Sequence, residues 1–541
     1  MDKNHRNILL FIFLTVIILG ININVPWGEE HCGLSGSHYS VIARNYLRYG
    51  LLKTKFGCVM NSGYLEPHKF NYYISQPPLL PMLIAVSFLI FGVSEASARL
   101  VPALFAIGFT IVFYLFIDRF FKKRIALLSS IFLIFTPIFM YFGNFVGQET
   151  IALFFIIMFF YNYFSWIESE KGKNLFLMLI SFIFSTLIGW IGYFLIVPIC
   201  INQLLSKKYK RNSIVIILLT ISGFVFSLHL FHASFLMGFQ KCLNCLANRL
   251  LSRTDIFCAN RTSAANPWEF FSMEIFRCFC IFTPVLIFLS TIWIVSFIRK
   301  IRPKSYSKGD IIVFSLLTFG FAPLFIFQNL YFNHNFFLFY CLPFFAIASA
   351  AGLDELFKKP FGIKRTRYKL VPIVIIFILY FCFSIITTYL LYKNGDIGCG
   401  IRPKYYNKLL GGFIGKNTVA DEVILTNQER FPLQRCAFVA PIIDYYSDRN
   451  IIYDVQDYNK VVTVLATVDR SYIYFLLSKK YPIEKNLLDL LEKSHSFKLE
   501  YDDSYFLYKI NGASADNASP NAIKSINFSA ENEPRKCYLR L

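Results

Sequence analysis

The chain has 541 residues, 56% of them hydrophobic and only 16% charged, and Phe alone contributes 62. A soluble fold of this size cannot bury so much apolar surface, and the apolar residues stand in long runs, so a cytosolic globular protein is excluded and helices crossing lipid are expected. The formal net charge of +21 does not point to nucleic acid, because the basic residues form short blocks between apolar runs: Lys122-Lys123-Arg124, Lys207-Lys208 with Lys210-Arg211, Arg299-Lys300 with Arg302, and Lys358 to Lys369. Such blocks mark topology against an anionic inner leaflet.

Placing those blocks inside gives a consistent path. Residues 8–25 run outward as a retained span, since no small-x-small cleavage site follows Leu9–Leu19. A polar external loop follows over 26–76. The apolar stretch 78–93 is short, and if it crossed, Lys122–Arg124 would fall outside, so it reads as an interfacial or re-entrant helix. Spans follow at 97–119, 126–143 and 150–167. The long run 175–204 is broken by Gly189 and Gly192 into a tight pair of short helices. Further spans fall at 213–234, 275–298, 310–328, 335–353 and 369–391, with almost uncharged interiors, Asp118 and Arg119 lying at an inner end. The fold class is an α-helical polytopic membrane protein of about eleven transmembrane helices, with a cytoplasmic amino terminus and an outer carboxyl terminus.

Residues 1–391 thus form the membrane domain. Beyond Leu391, residues 392–510 alternate charged segments with strand-like runs at Val423–Leu425, Ile451–Tyr453 and Val461–Leu465, which predicts a small extracytoplasmic α/β domain. The tail 511–541, rich in Asn, Ser, Ala and Pro, is expected to be flexible. Cys242-x-x-Cys245 is a single pair in an outer loop, open to a disulfide, free thiols or metal and redox work.

Chemistry is expected in the outer loops. Glu29 and Glu30 emerge as the first helix leaves the lipid, where a carboxylate can act as a general base or hold a divalent cation beside a phosphate, or merely sit in head-group solvent. Glu149, in Gly147-Gln148-Glu149-Thr150, opens a span on the same side and can serve as acid, base, metal ligand or helix cap. Arg44 and Arg48 lie four apart on an amphipathic helix and can meet lipid phosphate. Gln76 precedes Pro77-Pro78 and can donate to a ligand. Trp190 and Tyr193 at the helix break can stack on a sugar or anchor the interface, and His334 can bind phosphate or move a proton. His229 and His232 alone are weak evidence for a metal. A site for a polar head carried on a lipid tail fits this layout better than a transporter or flippase, which needs polar groups through the membrane thickness.

Several segments together resemble a known family: His38-Tyr39-Ser40-Val41-Ile42-Ala43-Arg44-Asn45-Tyr46, Tyr73 to Leu80 with its Pro-Pro-Leu core, Phe91-Gly92-Val93-Ser94-Glu95 through Pro102, Gly189-Trp190-Ile191-Gly192-Tyr193, and His334 to Pro343. The arrangement resembles the GT-C class of membrane glycosyltransferases, nearest the group of lipid A aminoarabinose transferase and dolichyl-phosphate-mannose-protein mannosyltransferases. The resemblance covers most of residues 26–355. It implies transfer of a sugar from a polyprenyl-phosphate carrier to a lipid, glycan or protein acceptor on the outer face of a bacterial or archaeal cell membrane. It implies an outer-loop carboxylate among Glu29, Glu30 and Glu149 as base. Contacts to donor or phosphate fall to His38, Tyr39, Arg44, Gln76, Trp190, Tyr193 and His334, and a Mg or Mn ion on Glu30 and Glu149 is an open alternative. The family's Asp-Glu pair before the loop tyrosine is replaced here by Ser35-Gly36-Ser37-His38, and Gln76 stands where Lys or His is common before Pro-Pro.

Overall fold

The computed structural model describes residues 3–205, 212–254, 266–301, 303–358, 366–395, 404–420, 422–428, 440–467, 472–501 and 504–511. The block Lys207–Arg211, Arg302 and the tail beyond Asn511 lie outside the described residues. Among the described residues, seven helices are long and apolar enough to cross a bilayer: Glu95–Phe120, Gln148–Ser169, Ser213–Met237, Pro267–Ile301, Lys308–Ile326, Asn335–Leu356 and Val371–Asn394. The molecule is an integral membrane protein. Four shorter apolar helices accompany them, at Asn4–Gly20, Leu79–Phe91, Gly172–Ile188 and Trp190–Leu204.

Local chemistry explains the breaks. The stretch 126–143, expected as one span, is two helices, Lys123–Ile134 and Pro137–Phe142. Pro137 supplies no N–H to the preceding turn, and the Thr136 hydroxyl bonds back to the Phe132 carbonyl. The first helix ends at Gly20, ahead of the β-branched run that follows, and Arg99 holds the carbonyls of Ile23 (3.1 Å) and Val25. Span interiors are less bare than the sequence reading held: Glu274 and Arg277, buried in the helix Pro267–Ile301, form an ion pair at 2.5 Å.

The loop 26–76 folds as a helix, His31–Lys53, followed by a small hairpin of β1 (Cys58–Val59) and β2 (Tyr72–Tyr73). Ser75–Pro78 then leads into the short apolar helix Leu79–Phe91, whose far end exposes Leu89, Ile90 and Phe91.

After the last long helix the chain builds a five-stranded sheet from β3 (Val423–Thr426), β4 (Asn450–Ile452), β5 (Tyr472–Ser478), β6 (His495–Tyr501) and β7 (Tyr505–Asn511), in the order β4-β3-β5-β7-β6. β3 is parallel to β4 and β5, as helical crossovers require, and β6 and β7 add antiparallel. Helices Tyr406–Asn417 and Ala440–Ser447 cover one face through Leu410, Ile414 and Ile443. Val461, Leu487 and Leu491 cover the other. The run Val461–Leu465, expected as a strand, lies in the helix Tyr458–Thr467. Asp457 accepts from the Lys460 N–H at its start (2.7 Å), and Val461 and Val464, three apart, face the sheet.

This sheet region docks on the loop helix through charge. Asp448 receives Arg44 at 3.0 Å and both Arg48 contacts at 2.8 and 2.6 Å. Tyr446 OH donates to Glu95 at 2.6 Å and accepts from the Trp27 N–H. Burial works against ionisation of Asp448, yet Arg44 and then Arg48 hold its carboxyl below the usual range. The contribution of the pairs is therefore complete above about pH 4 and is lost as the pH falls below that value. Asp448→Asn is expected to weaken docking by about 1 kcal/mol, since the carboxylate is part-exposed. Lower amide-exchange protection in the helix Tyr406–Asn417 at pH 7 checks it, and wild-type protection, taken relative to the free-chain rate at each pH, should fall to the same level on acidification.

Candidate functional site

A cavity of about 450 Å³ lies on the side of the bundle that carries the sheet region. Most of its wall is apolar: Phe194, Phe226, Leu230, Leu246, Leu250 and Phe327. Ser75 and Gln76 come from the loop, Gln148 from the start of the helix that follows, and Trp190 and Tyr193 from the helix break. Trp190 Nε1 donates to the Ser75 carbonyl at 2.7 Å, stacks on Tyr193 (centroids 6.0 Å apart) and meets His229 edge-on at 5.2 Å. His229 in turn donates to the Ile74 carbonyl at 3.1 Å. The aromatic pair is thus fastened to the segment that carries Gln76. A Cβ at Gly189 would meet the end of the Gln148 side chain, which would have to move from its present place on the wall.

One end of the cavity is polar. Gln76 Oε1, Gln148 Oε1 and Tyr331 OH on its wall, and Glu149 Oε2 one residue beyond Gln148 and off the wall, are buried without a hydrogen-bond partner among the described residues. Native interiors rarely leave such atoms unpaired, so a cluster of them marks a place for a polar ligand. Glu149 opens its helix, with Oε2 against Gly147, where the helix dipole favours a negative group. Its charge reaches Tyr39, whose phenol is pushed far above the usual range by burial first, then by Tyr73 and Glu149.

The cationic part comes from the amphipathic helix Phe239–Thr254, which places Arg249 and Arg253 on the cavity wall. Arg249 stacks over Tyr73 at 5.5 Å. Burial, and then Arg249 beside it, pulls the Arg253 pKa down. Two adjacent guanidiniums facing an apolar cavity call for an anion between them. These residues were missed by the sequence reading, although Arg249 and Arg253 stand one helical turn apart beside Leu243, Leu246 and Leu250, a stripe that periodicity reveals.

His334 sits behind the wall, sharing a 3.2 Å hydrogen bond between its Nδ1 and His31 Nε2. Burial, then His31, Arg253, Arg277 and Arg249 hold its pKa well below the ordinary value, so it is neutral at pH 7. His38 packs edge-on against Tyr39 and Tyr73, at 5.3 and 4.8 Å.

Other residues expected here lie elsewhere. Glu29 Oε1 accepts from Asn407 Nδ2 at 2.6 Å and so fastens the sheet region. Glu30 lines a separate, small cavity with Arg99, Asn144 and Tyr405, and Arg44 is engaged by Asp448 and by the carbonyls of Asp444 and Tyr445. Among the described residues no three His, Cys, Asp or Glu side chains come together as metal ligands, and Glu30 lines the small cavity, where Glu149 does not. Cys242 and Cys245 are free thiols, Cys242 packing against Ile74 and Ala233.

The fold defines a class: a polytopic membrane protein whose helical bundle and sheet region share the fold of two solved membrane proteins. A family described as dolichyl-phosphate-mannose-protein mannosyltransferase matches residues 75–233. The structure is similar to ArnT from Cupriavidus metallidurans bound to undecaprenyl phosphate, with a TM-score of 0.62 and 12% identity over 93% of this chain and 97% of that one. It is also similar to the Archaeoglobus fulgidus oligosaccharyltransferase in complex with Zn and sulfate, with a TM-score of 0.54 and 13% identity over 93% and 72% of the two chains. An uncharacterized protein of Aquifex aeolicus is 44% identical over 61 residues, which are 11% of this chain and 15% of that relative's length.

Proposed function

We propose that this protein is a glycosyltransferase that moves a sugar from a polyprenyl-phosphate carrier to a lipid, glycan or protein acceptor. The observation that carries the reading is the placement of Arg249 and Arg253 on the wall of an apolar cavity, together with the unpaired polar atoms of Gln76, Gln148 and Tyr331. The apolar part takes the polyprenyl tail, the arginines take the phosphate, and the amides hold sugar hydroxyls. The acceptor's nucleophile attacks the anomeric carbon as the bond to phosphate oxygen breaks. Glu149 takes the nucleophile's proton, and the polyprenyl phosphate leaves with the electron pair, needing no protonating acid. His334, neutral, is tied to the wall by its backbone N–H on the Tyr331 carbonyl and by its ring on His31. The matched family, and ArnT with its bound undecaprenyl phosphate, support the donor class.

The same reading assigns eleven crossings: the seven long helices, the short ones Asn4–Gly20, Gly172–Ile188 and Trp190–Leu204, and the broken pair Lys123–Phe142. The amino terminus is then cytoplasmic, and the loop 26–76 and the sheet region 392–510 are extracytoplasmic, with Leu79–Phe91 interfacial.

The test supplies purified protein with radiolabelled polyprenyl-phosphate sugars and membrane extract, with chelator and with Mg or Mn added in parallel. Transfer from one donor is expected; no transfer from any of them overturns the reading. In the same assay, joint replacement of Arg249 and Arg253 by Ala is expected to raise the donor KM about 30-fold or more, the cost of losing a desolvated charge contact, with a smaller change in kcat.

A further inference from the structure

The loop helix ends in a turn whose backbone is strained and whose tip is apolar. Gly50 has φ 76°, and Lys55 and Phe56 follow at 53° and 56°. Two successive side-chain-bearing residues in the left-handed region are uncommon and persist only where their surroundings hold them. They are held here. The Thr54 N–H and hydroxyl both donate to the Gly50 carbonyl, at 3.2 and 3.0 Å, and the Phe56 N–H donates to Leu51 at 2.9 Å. Tyr46 OH donates to the Phe56 carbonyl at 3.3 Å, and His232 Nε2 to the Lys55 carbonyl at 2.8 Å.

This rigid turn presents Leu51, Leu52 and Phe56 outward, Leu52 being 82% exposed, with Lys53 and Lys55 between them. It stands beside the end of the span Ser213–Met237, where Lys55 Nζ lies 5.2 Å from the Phe235 ring centre. Phe231, Phe235 and Phe239 there are 73%, 63% and 60% exposed. The outer surface of a spanning helix faces lipid, so the leucine tip continues a lipid-facing band sideways into the head-group layer. We infer that the turn 51–56 is a membrane wedge, its Leu51, Leu52 and Phe56 inserted in the interface and Lys53 and Lys55 bound to anionic lipid head groups. The wedge fixes the start of the β1–β2 hairpin, whose far strand leads straight to Ser75 and Gln76 on the cavity wall. The inference does not depend on what the cavity binds.

The test uses the full-length protein in nanodiscs of phosphatidylethanolamine and phosphatidylglycerol, with Leu52 replaced by benzoylphenylalanine and adducts read by mass spectrometry after irradiation. A lipid adduct is expected, with phosphatidylglycerol enriched about fivefold over its bulk fraction. Lys53→Glu with Lys55→Glu should remove that enrichment while leaving the adduct. An adduct to a second protein chain, or no lipid adduct, overturns the wedge. Phosphatidylglycerol at its bulk fraction in the wild-type background overturns the role of the lysines. Phe56→Trp gives an independent reading: its added fluorescence should be quenched by brominated lipid, and an unquenched signal counts against insertion.

Discussion

Glu149→Gln is expected to lower kcat for sugar transfer by about 10²–10⁴-fold while leaving the donor KM nearly unchanged. The substitution keeps the shape of the side chain and removes only the ability to accept a proton. Glu149 is suited to that task because its Oε2 is buried, has no hydrogen-bond partner among the described residues, and opens a helix beside the polar end of the cavity. Glu29→Gln is the proper control: its carboxylate is spent on Asn407, so the change should alter docking of the sheet region and leave the chemical step within a few-fold. Donor binding measured alongside turnover separates the roles. A kcat loss below tenfold for Glu149→Gln, with a large loss for Glu30→Gln, would move proton transfer to the smaller cavity that Glu30 shares with Arg99.

That contrast also shows where sequence reasoning reached. Apolar runs and basic blocks located the long helices because lipid imposes a length on every crossing. The break at Gly189 was legible because glycines interrupted an apolar run, and it proved to make room for Gln148. Glu29 and Glu30 are neighbours in sequence, yet one is drawn to Asn407 and the other turns toward Arg99 at the start of the loop helix. The first of these partners lies 378 positions away, and no local pattern contains it. Arg44 likewise carried the right chemistry for phosphate and was claimed by Asp448. The helix at Tyr458–Thr467 read as a strand because its valines satisfy either period over so short a run. Arg249 and Arg253 were within reach, since their spacing and leucine stripe are local.

Arg277→Met is expected to destabilise the protein by about 3–5 kcal/mol, the cost of leaving a buried charge without its partner. Arg277 is fully buried and donates to Glu274 at 2.5 Å, to the Tyr331 carbonyl at 2.9 Å and to the Phe332 carbonyl at 2.8 Å. It therefore joins a spanning helix to the segment that presents Tyr331 to the cavity and His334 to His31. Removing the guanidinium strands the Glu274 carboxylate and the Phe332 carbonyl together, while the Tyr331 carbonyl keeps the His334 N–H at 3.1 Å. Adding Glu274→Leu removes the stranded charge and should recover part of the loss. The Phe332 carbonyl still lacks a donor, at a cost of about 1–3 kcal/mol, while that of Tyr331 keeps the His334 N–H, so the double variant should remain below wild type. Unfolding of the full-length protein in detergent, followed by tryptophan fluorescence, ranks the three proteins as wild type, double variant and Arg277→Met. A double variant no more stable than Arg277→Met would mean that the carbonyl clamp, and not the ion pair, carries the energy. The donor KM should then follow the clamp, because Tyr331 moves with it.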